Sequence, residues 1–229
     1  MTIFRFALKR ILRDKTNVLF LTLFPITAIF LPLAQEGWPL LPLGYQYFGV
    51  LLLFVSIRLT SIMIEDRQKG VVKRLPAAPV SHFNYLWQNL LAFSVIMVIQ
   101  TVFVIIGGHV YGHELYEPWN LTILYIVFTF TSISISLAWN SLYRSKESSF
   151  LIFMAVIVLM ALLGGILFPV EMMPEAFERI AVIFPTYWLS EGIEWIVLGE
   201  DRGDFLFING VLLLYALFFL IIGSIRRIS

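Results

Sequence analysis

The sequence predicts an all-α integral membrane protein. Six transmembrane helices are expected, with an interfacial amphipathic helix before them, a cytoplasmic helical loop, and short external re-entrant helices before the last span. Three observations carry that expectation. The chain is 59% hydrophobic and 14% charged, against about 45–50% and about 25% in a soluble domain. Its apolar residues gather into segments close to the roughly 20 residues that a helical span requires. Its basic residues sit almost entirely at alternate ends of those segments. The chain has no cysteine, which excludes disulfides and thiolate metal sites.

Residues 1–15 carry "TIFRFALKRILRDK". Phe4, Ala7, Leu8 and Ile11 share one helical face, and Arg5, Lys9 and Arg13 recur at intervals of four on another. Such a helix lies in the interface, apolar side in lipid and basic side toward anionic headgroups. It is not expected to be a cleaved signal, because the following apolar run is a full span and "LPLAQEG" is a poor cleavage site.

The spans are expected at about 16–34, 44–64, 85–108, 119–143, 149–168 and 205–224. Lipid supplies no partners for unpaired backbone groups, and alternation with period two is weak, so helices are favoured over barrel strands. Pro25 and Pro32 suggest a kink in the first span. Six spans put both termini on one side. Thirteen of the 16 Lys and Arg then share the side of the termini; Arg58 falls within a span, and Arg179 and Arg202 lie opposite. Eleven of the 15 acids run the other way. Positive loops orient toward the cytoplasm. Trp38, Trp119, Trp188 and Trp195 then fall near the outer boundary, and Trp87 and Trp139 near the inner one, where indole rings prefer to sit.

The loop at 65–80, "EDRQKGVVKRLPAAPV", is too patterned for a passive connector. Acidic Glu65 and Asp66 come first and basic Lys73 and Arg74 last, the order a helix dipole favours. Glu65 and Lys69 stand at i,i+4, and Val71, Val72 and Leu75 share a face. Pro76 stops the turn, and Ser81 can cap the next helix. A short amphipathic helix of this kind suits docking to a cytosolic partner. The competing reading is a solvated loop. A second odd stretch, 169–200, is too long for a turn and too polar for a span. Met173, Phe177, Ile180 and Phe184 form one stripe, bracketed by Pro174 and Pro185. Two short helices ending near Gly199 are expected to cap the outer face.

Taken together, these features resemble the permease subunits of type-2 ABC exporters. The resemblance covers essentially the whole chain as one domain, 1–229. It rests on the interfacial helix, the six spans, "EDRQKGVVKRLPAAPVS" and "GGILFPVEMMPEAFERIAVIFPTYWLSEGI". It implies that Glu65, Gly70, Val71, Arg74, Leu75 and Pro79 belong to a coupling region that contacts an ATPase. It implies that Pro169, Pro174, Phe177, Pro185, Thr186 and Tyr187 belong to the outer cap. Phe184 stands where the family often has Asn. No G-x-x-x-x-G-K-[ST] occurs, so ATP and Mg would belong to a separate ATPase present in two copies. A second permease, identical or paralogous, would complete the pathway, with the lipid bilayer as the remaining partner and no nucleic acid. The resemblance implies a multi-pass protein of a prokaryotic cell membrane, with no enzymatic activity of its own.

The pathway is then expected along spans one, two and five, where Gly49, Gly164 and Gly165 permit close helix approach. Arg58 is a pathway candidate that could meet an anionic headgroup or carboxylate; snorkelling to the inner surface is the alternative. His109 and His113, at i,i+4 near Glu114 and Glu117, could bind a metal, but a polar outer loop is favoured and no metal site is assigned. Glu191 and Glu194 read as an acidic rim, and Ser132, Ser134 and Ser136 as small polar packing residues. The rivals are a membrane anchor that recruits a cytosolic protein, a secondary transporter, and an intramembrane enzyme. The last two need mid-span ionisable pairs or a catalytic pair, and neither is visible. Apolar walls favour an amphipathic substrate such as a drug, an antimicrobial peptide or a lipid-like molecule.

Overall fold

The computed structural model describes residues 2–31, 41–71, 82–199 and 202–225, and every regular element among them is helical. Arg74, Leu75 and Pro79 lie outside the described residues, as do Pro32, Trp38, Val72, Lys73, Pro76, Ser81, Arg226 and Arg227.

The segment expected to lie at the interface forms α1, Thr2–Arg13. Arg5, Lys9 and Arg13 are exposed, as their spacing predicts, but Ala7 and Ile11, on the face expected to lie in lipid, are buried against the rest of the bundle. Asp14 alone separates it from α2, Lys15–Phe30, and its carboxylate accepts from the backbone N–H groups of Thr16 and Asn17. That bond pattern is a helix N-cap, which satisfies donors that would otherwise be orphaned. Pro25 lies inside α2.

A short α3, Leu43–Gln46, leads into α4, Phe48–Thr60, and α5, Ile62–Gln68. The sequence reading ended the second span at Ile64. Only Ser61 separates α4 from α5, and the apolar span Phe48–Gln68 is continuous, so Glu65 and Asp66 fall in the last turns of this helix. The charges terminate a span here instead of opening a loop. Gly70 closes it, with φ +68 and its N–H on the Arg67 carbonyl. A left-handed glycine just past a helix end is a common stop, since only glycine adopts that backbone without steric cost.

The remaining long helices are α6, His82–Tyr111; α7, Pro118–Leu142; α8, Lys146–Leu163; and α11, Arg202–Ile225. A 3₁₀ turn at Val170–Met172 and two short helices, α9 (Glu175–Ala181) and α10 (Pro185–Leu198), lie between α8 and α11. Among the described residues five helices are long and apolar enough to cross a membrane. The helix expected to be the first span, α2, is 16 residues long within the described residues, shorter than a full crossing.

α7 is the central post, packed against α4, α6, α8, α10 and α11. Phe48 meets Tyr125 edge-on, and the Tyr125 hydroxyl donates to the Tyr45 carbonyl. Small polar residues join the helices at depth. Ser56 and Ser136 share a 2.6 Å hydrogen bond, and Thr131 donates to the Leu212 carbonyl at 2.8 Å. Asn140 donates to Thr60 Oγ1 at 2.8 Å and accepts from Ser149 Oγ at 2.6 Å, so it ties α4, α7 and α8. Replacing Asn140 with leucine is expected to cost about 1–2 kcal/mol, the upper range for interhelical hydrogen bonds in membranes. A lower temperature for loss of the monodisperse peak in detergent is the readout.

At the opposite end, α3 packs closely on α2. A Cβ on Gly44 would sit 1.8 Å from the Ala28 carbonyl oxygen.

Candidate functional site

Acidic and basic side chains converge at the end of the bundle where α1, α5 and the start of α8 meet. Arg10 of α1 reaches Glu65 at 2.9 Å and Asp66 at 2.5 Å. Lys146, the first residue of α8, grips the other Glu65 oxygen, and Lys69 stands 3.7 Å away. Tyr85, near the start of α6, donates to Asp66 Oδ2 at 2.6 Å. The side chains of Glu65 and Asp66 are 25% and 8% exposed, so this lattice is largely shielded from water. Burial works against the Arg10 charge, but Asp66 and then Glu65 outweigh it and raise its pKa above the ordinary value.

The next two residues extend the lattice. Arg67 donates to the carbonyls of Asn140 and Ser141, and Gln68 donates to the Arg144 carbonyl at 2.7 Å. Arg67 thereby meets the unpaired carbonyls and the negative dipole end of α7. The backbone N–H of Phe4 donates to Gln88 Oε1 at 3.1 Å, a second tie between α1 and α6. Residues 65–68 are therefore fastened to α1, α6, α7 and α8 at once. Beyond them Val71 is exposed and the chain continues toward Arg74, Leu75 and Pro79.

The sequence reading paired Glu65 with Lys69, which stand together in the structure, and named Asp66, Gly70 and Val71 in the same stretch. It did not bring Arg10, Arg67, Tyr85 or Lys146 to this place, and it read Asp66 only as part of a helix-dipole pattern. Arg10 falls outside the i,i+4 series of Arg5, Lys9 and Arg13, and that departure was the available signal.

Arg58 does not join this lattice. Its Nε donates to Asn17 Oδ1 at 3.1 Å, linking α4 to the first turn of α2. The bond draws the guanidinium toward the basic end, the direction that snorkelling takes. The three glycines serve contacts within this chain. A Cβ on Gly49 would lie 2.1 Å from Leu189 of α10. One on Gly164 would lie 2.1 Å from Thr186 Oγ1, which donates to the Met160 carbonyl. Gly165 has φ +79, and its carbonyl accepts from Ser190.

These glycines seat α10 among α4, α7, α8 and α11, with Leu189 and Ile193 fully buried. Pro169 precedes the 3₁₀ turn, Pro174 precedes α9, and Pro185 opens α10, each where a missing N–H costs nothing. Phe177 is exposed on α9. Burial, then the neighbouring Glu191, push the Tyr187 phenol up to about 12. His109 is exposed, whereas buried His113 is bonded through Nε2 to the Ile29 carbonyl at 2.7 Å. Among the described residues no cluster of three or more metal-ligating side chains occurs. Ser132 bonds within its own helix, to the Phe128 carbonyl.

A bundle of apolar helices, one of them buried as a short insert, with a charged lattice at one end, defines a multi-pass helical membrane protein. The chain belongs to the ABC-2 family transporter proteins, whose profile matches residues 39–225, and it is a type-2 ABC permease subunit. It is 27% identical over 173 residues to the linearmycin resistance permease protein LnrN of Bacillus subtilis (strain 168), covering 73% of this chain and 45% of that protein. The chain thus spans less than half the length of that relative. It is 25% identical over 206 residues to the putative transport permease YvfS of the same organism, covering 84% of this chain and 82% of that one.

Proposed function

We propose that this permease is the membrane half of an ATP-driven exporter. It pairs with a second permease, identical or paralogous, and with two separate ATPase subunits that carry ATP and Mg²⁺. Its basic end faces the cytoplasm, both termini lie there, and α9 and α10 cap the outer face. The observation that carries this reading is the lattice around Glu65 and Asp66. A displacement delivered to Glu65 and Asp66 from the sequence that follows them would reach four helices at once. Absence of a P-loop in the sequence agrees with an engine on another chain. The pathway runs between the permeases, and the substrate is amphipathic. The name of one relative ties such a permease to linearmycin resistance, which supports drug efflux over polysaccharide export.

The native chain has no cysteine, so Val71→Cys supplies a unique thiol at an exposed position. In membranes containing the partner ATPase, this thiol is expected to cross-link to it, and substrate is expected to stimulate ATP hydrolysis. Cross-linking with hydrolysis indifferent to permease and substrate would identify a plain anchor. No cross-link to any ATP-hydrolysing protein would overturn the reading.

In this reading Arg58, bonded to Asn17, also receives the anionic end of a substrate at the mouth of the pathway. Arg58→Gln is expected to lower export several-fold at unchanged membrane abundance. Equal export by the variant would return Arg58 to a purely structural bond with Asn17.

A further inference from the structure

We propose that a groove on the flank of the bundle, walled by α1, α2 and α6, binds a long apolar molecule bearing one hydroxyl or amide near its middle. The groove encloses about 520 Å³. Leu12 of α1, Leu21 and Ile26 of α2, and Ile99 and Phe103 of α6 line it. Ile99 and Phe103 are 62% and 56% exposed, so the groove opens sideways to whatever surrounds the bundle at that depth.

Two lining residues are polar: Thr22, whose hydroxyl donates to the Val18 and Leu19 carbonyls of its own helix, and Gln100. Gln100 is 5% exposed, and neither its Oε1 nor its Nε2 has a hydrogen-bond partner. It lies near the middle of the 30-residue α6, where hydrocarbon offers nothing in exchange. Polar side chains at such depth are costly, and they concentrate where a ligand or pathway needs them.

The chemistry of Gln100 selects the occupant. A bare alkyl chain leaves both amide atoms unpaired. An ester or ketone only accepts, so it satisfies the N–H₂ and leaves Oε1 without a donor. A hydroxyl or an amide both donates and accepts, and meets both ends of Gln100 once its side-chain amide, covered in the empty groove, turns toward the occupant. A charged group is disfavoured so far from water. The occupant is therefore a neutral-centred amphiphile drawn from the leaflet, collected on the flank before it enters the path between permeases. That role rests on the exporter reading above; the binding itself does not.

The test uses the full-length permease in proteoliposomes without the ATPase. Two matched diazirine probes are compared: a long alkyl chain with a mid-chain hydroxyl, and the same chain without it. The hydroxylated probe is expected to label the peptide at 95–103 several-fold more than the plain one. Gln100→Leu is expected to erase that preference while labelling at 213–217, in a separate apolar groove, stays the same. Ile99→Trp, which fills the mouth, is expected to reduce labelling by both probes. Equal labelling of the native protein by the two probes would overturn the proposal, and so would a preference that survives Gln100→Leu. A photo-cross-link from the groove to a second copy of the chain would also overturn it, by making the groove a seam between permeases. Unselective labelling beside substrate-stimulated ATP hydrolysis sinks the groove alone. Selective labelling beside hydrolysis indifferent to permease and substrate sinks the exporter reading and leaves the groove standing.

Discussion

Arg10→Ala is expected to free α1 from the bundle and to abolish substrate-stimulated ATP hydrolysis while the long helices stay folded. Arg10 is the cation shared by Glu65 and Asp66. Glu65 would keep Lys146 and Lys69, but Asp66 would retain only the Tyr85 hydroxyl at 2.6 Å. Orphaning one partner of a fully buried pair costs about 3–5 kcal/mol. Arg10 is 35% exposed, so solvent screens part of the interaction and about 2 kcal/mol is the expected loss here. A double-mutant cycle with Asp66→Asn isolates the pair and is expected to show coupling of about 1–2 kcal/mol. Hydrogen exchange in α1 is expected to accelerate in the single variant. Strict additivity in the cycle, with unchanged protection of α1, would show that the two groups act independently.

Gly44→Ala is expected to be severely damaging for the addition of a single methyl group. The added carbon would sit 1.8 Å from the Ala28 carbonyl oxygen and 2.7 Å from its Cα. The obstacle is backbone of α2, which no rotamer change can move aside. Overpacking usually costs about 1–3 kcal/mol, and a clash with backbone belongs at the top of that range or beyond it. A fluorescent fusion should lose most of its monodisperse peak in detergent. Gly210→Ala on α11, where an added Cβ meets nothing within 4 Å, is the control and should elute as the native protein does.

The helical architecture was legible because the hydrocarbon interior leaves so few alternatives for an apolar run. The amphipathic character of α1 was legible from Ala7 and Ile11 on one face and Arg5, Lys9 and Arg13 on another. The short helices α9 and α10 were legible from Pro174, Pro185 and Gly199, which mark their starts and stop through backbone geometry alone. The charged lattice was only half legible. Glu65 and Lys69 are neighbours along one helix, so spacing revealed them. Arg10 and Lys146 lie 55 and 81 residues from Glu65, and only the fold brings them together. The same holds for Asn17, whose bond to Arg58 spans 41 residues. Gln100 gave no signal as a lone polar residue in an apolar run, because its significance lies in what its neighbours fail to supply.

Asp14 is the whole of the joint between α1 and α2. Its carboxylate pins the first backbone donors of α2, so the corner has no slack to absorb a twist. A cranked rod behaves the same way: rotating one arm swings the other through the same angle. Any tug on Arg10 from the direction of Glu65 would thus tilt the helix that begins at Lys15, giving the interfacial arm direct steering over the wall beside it.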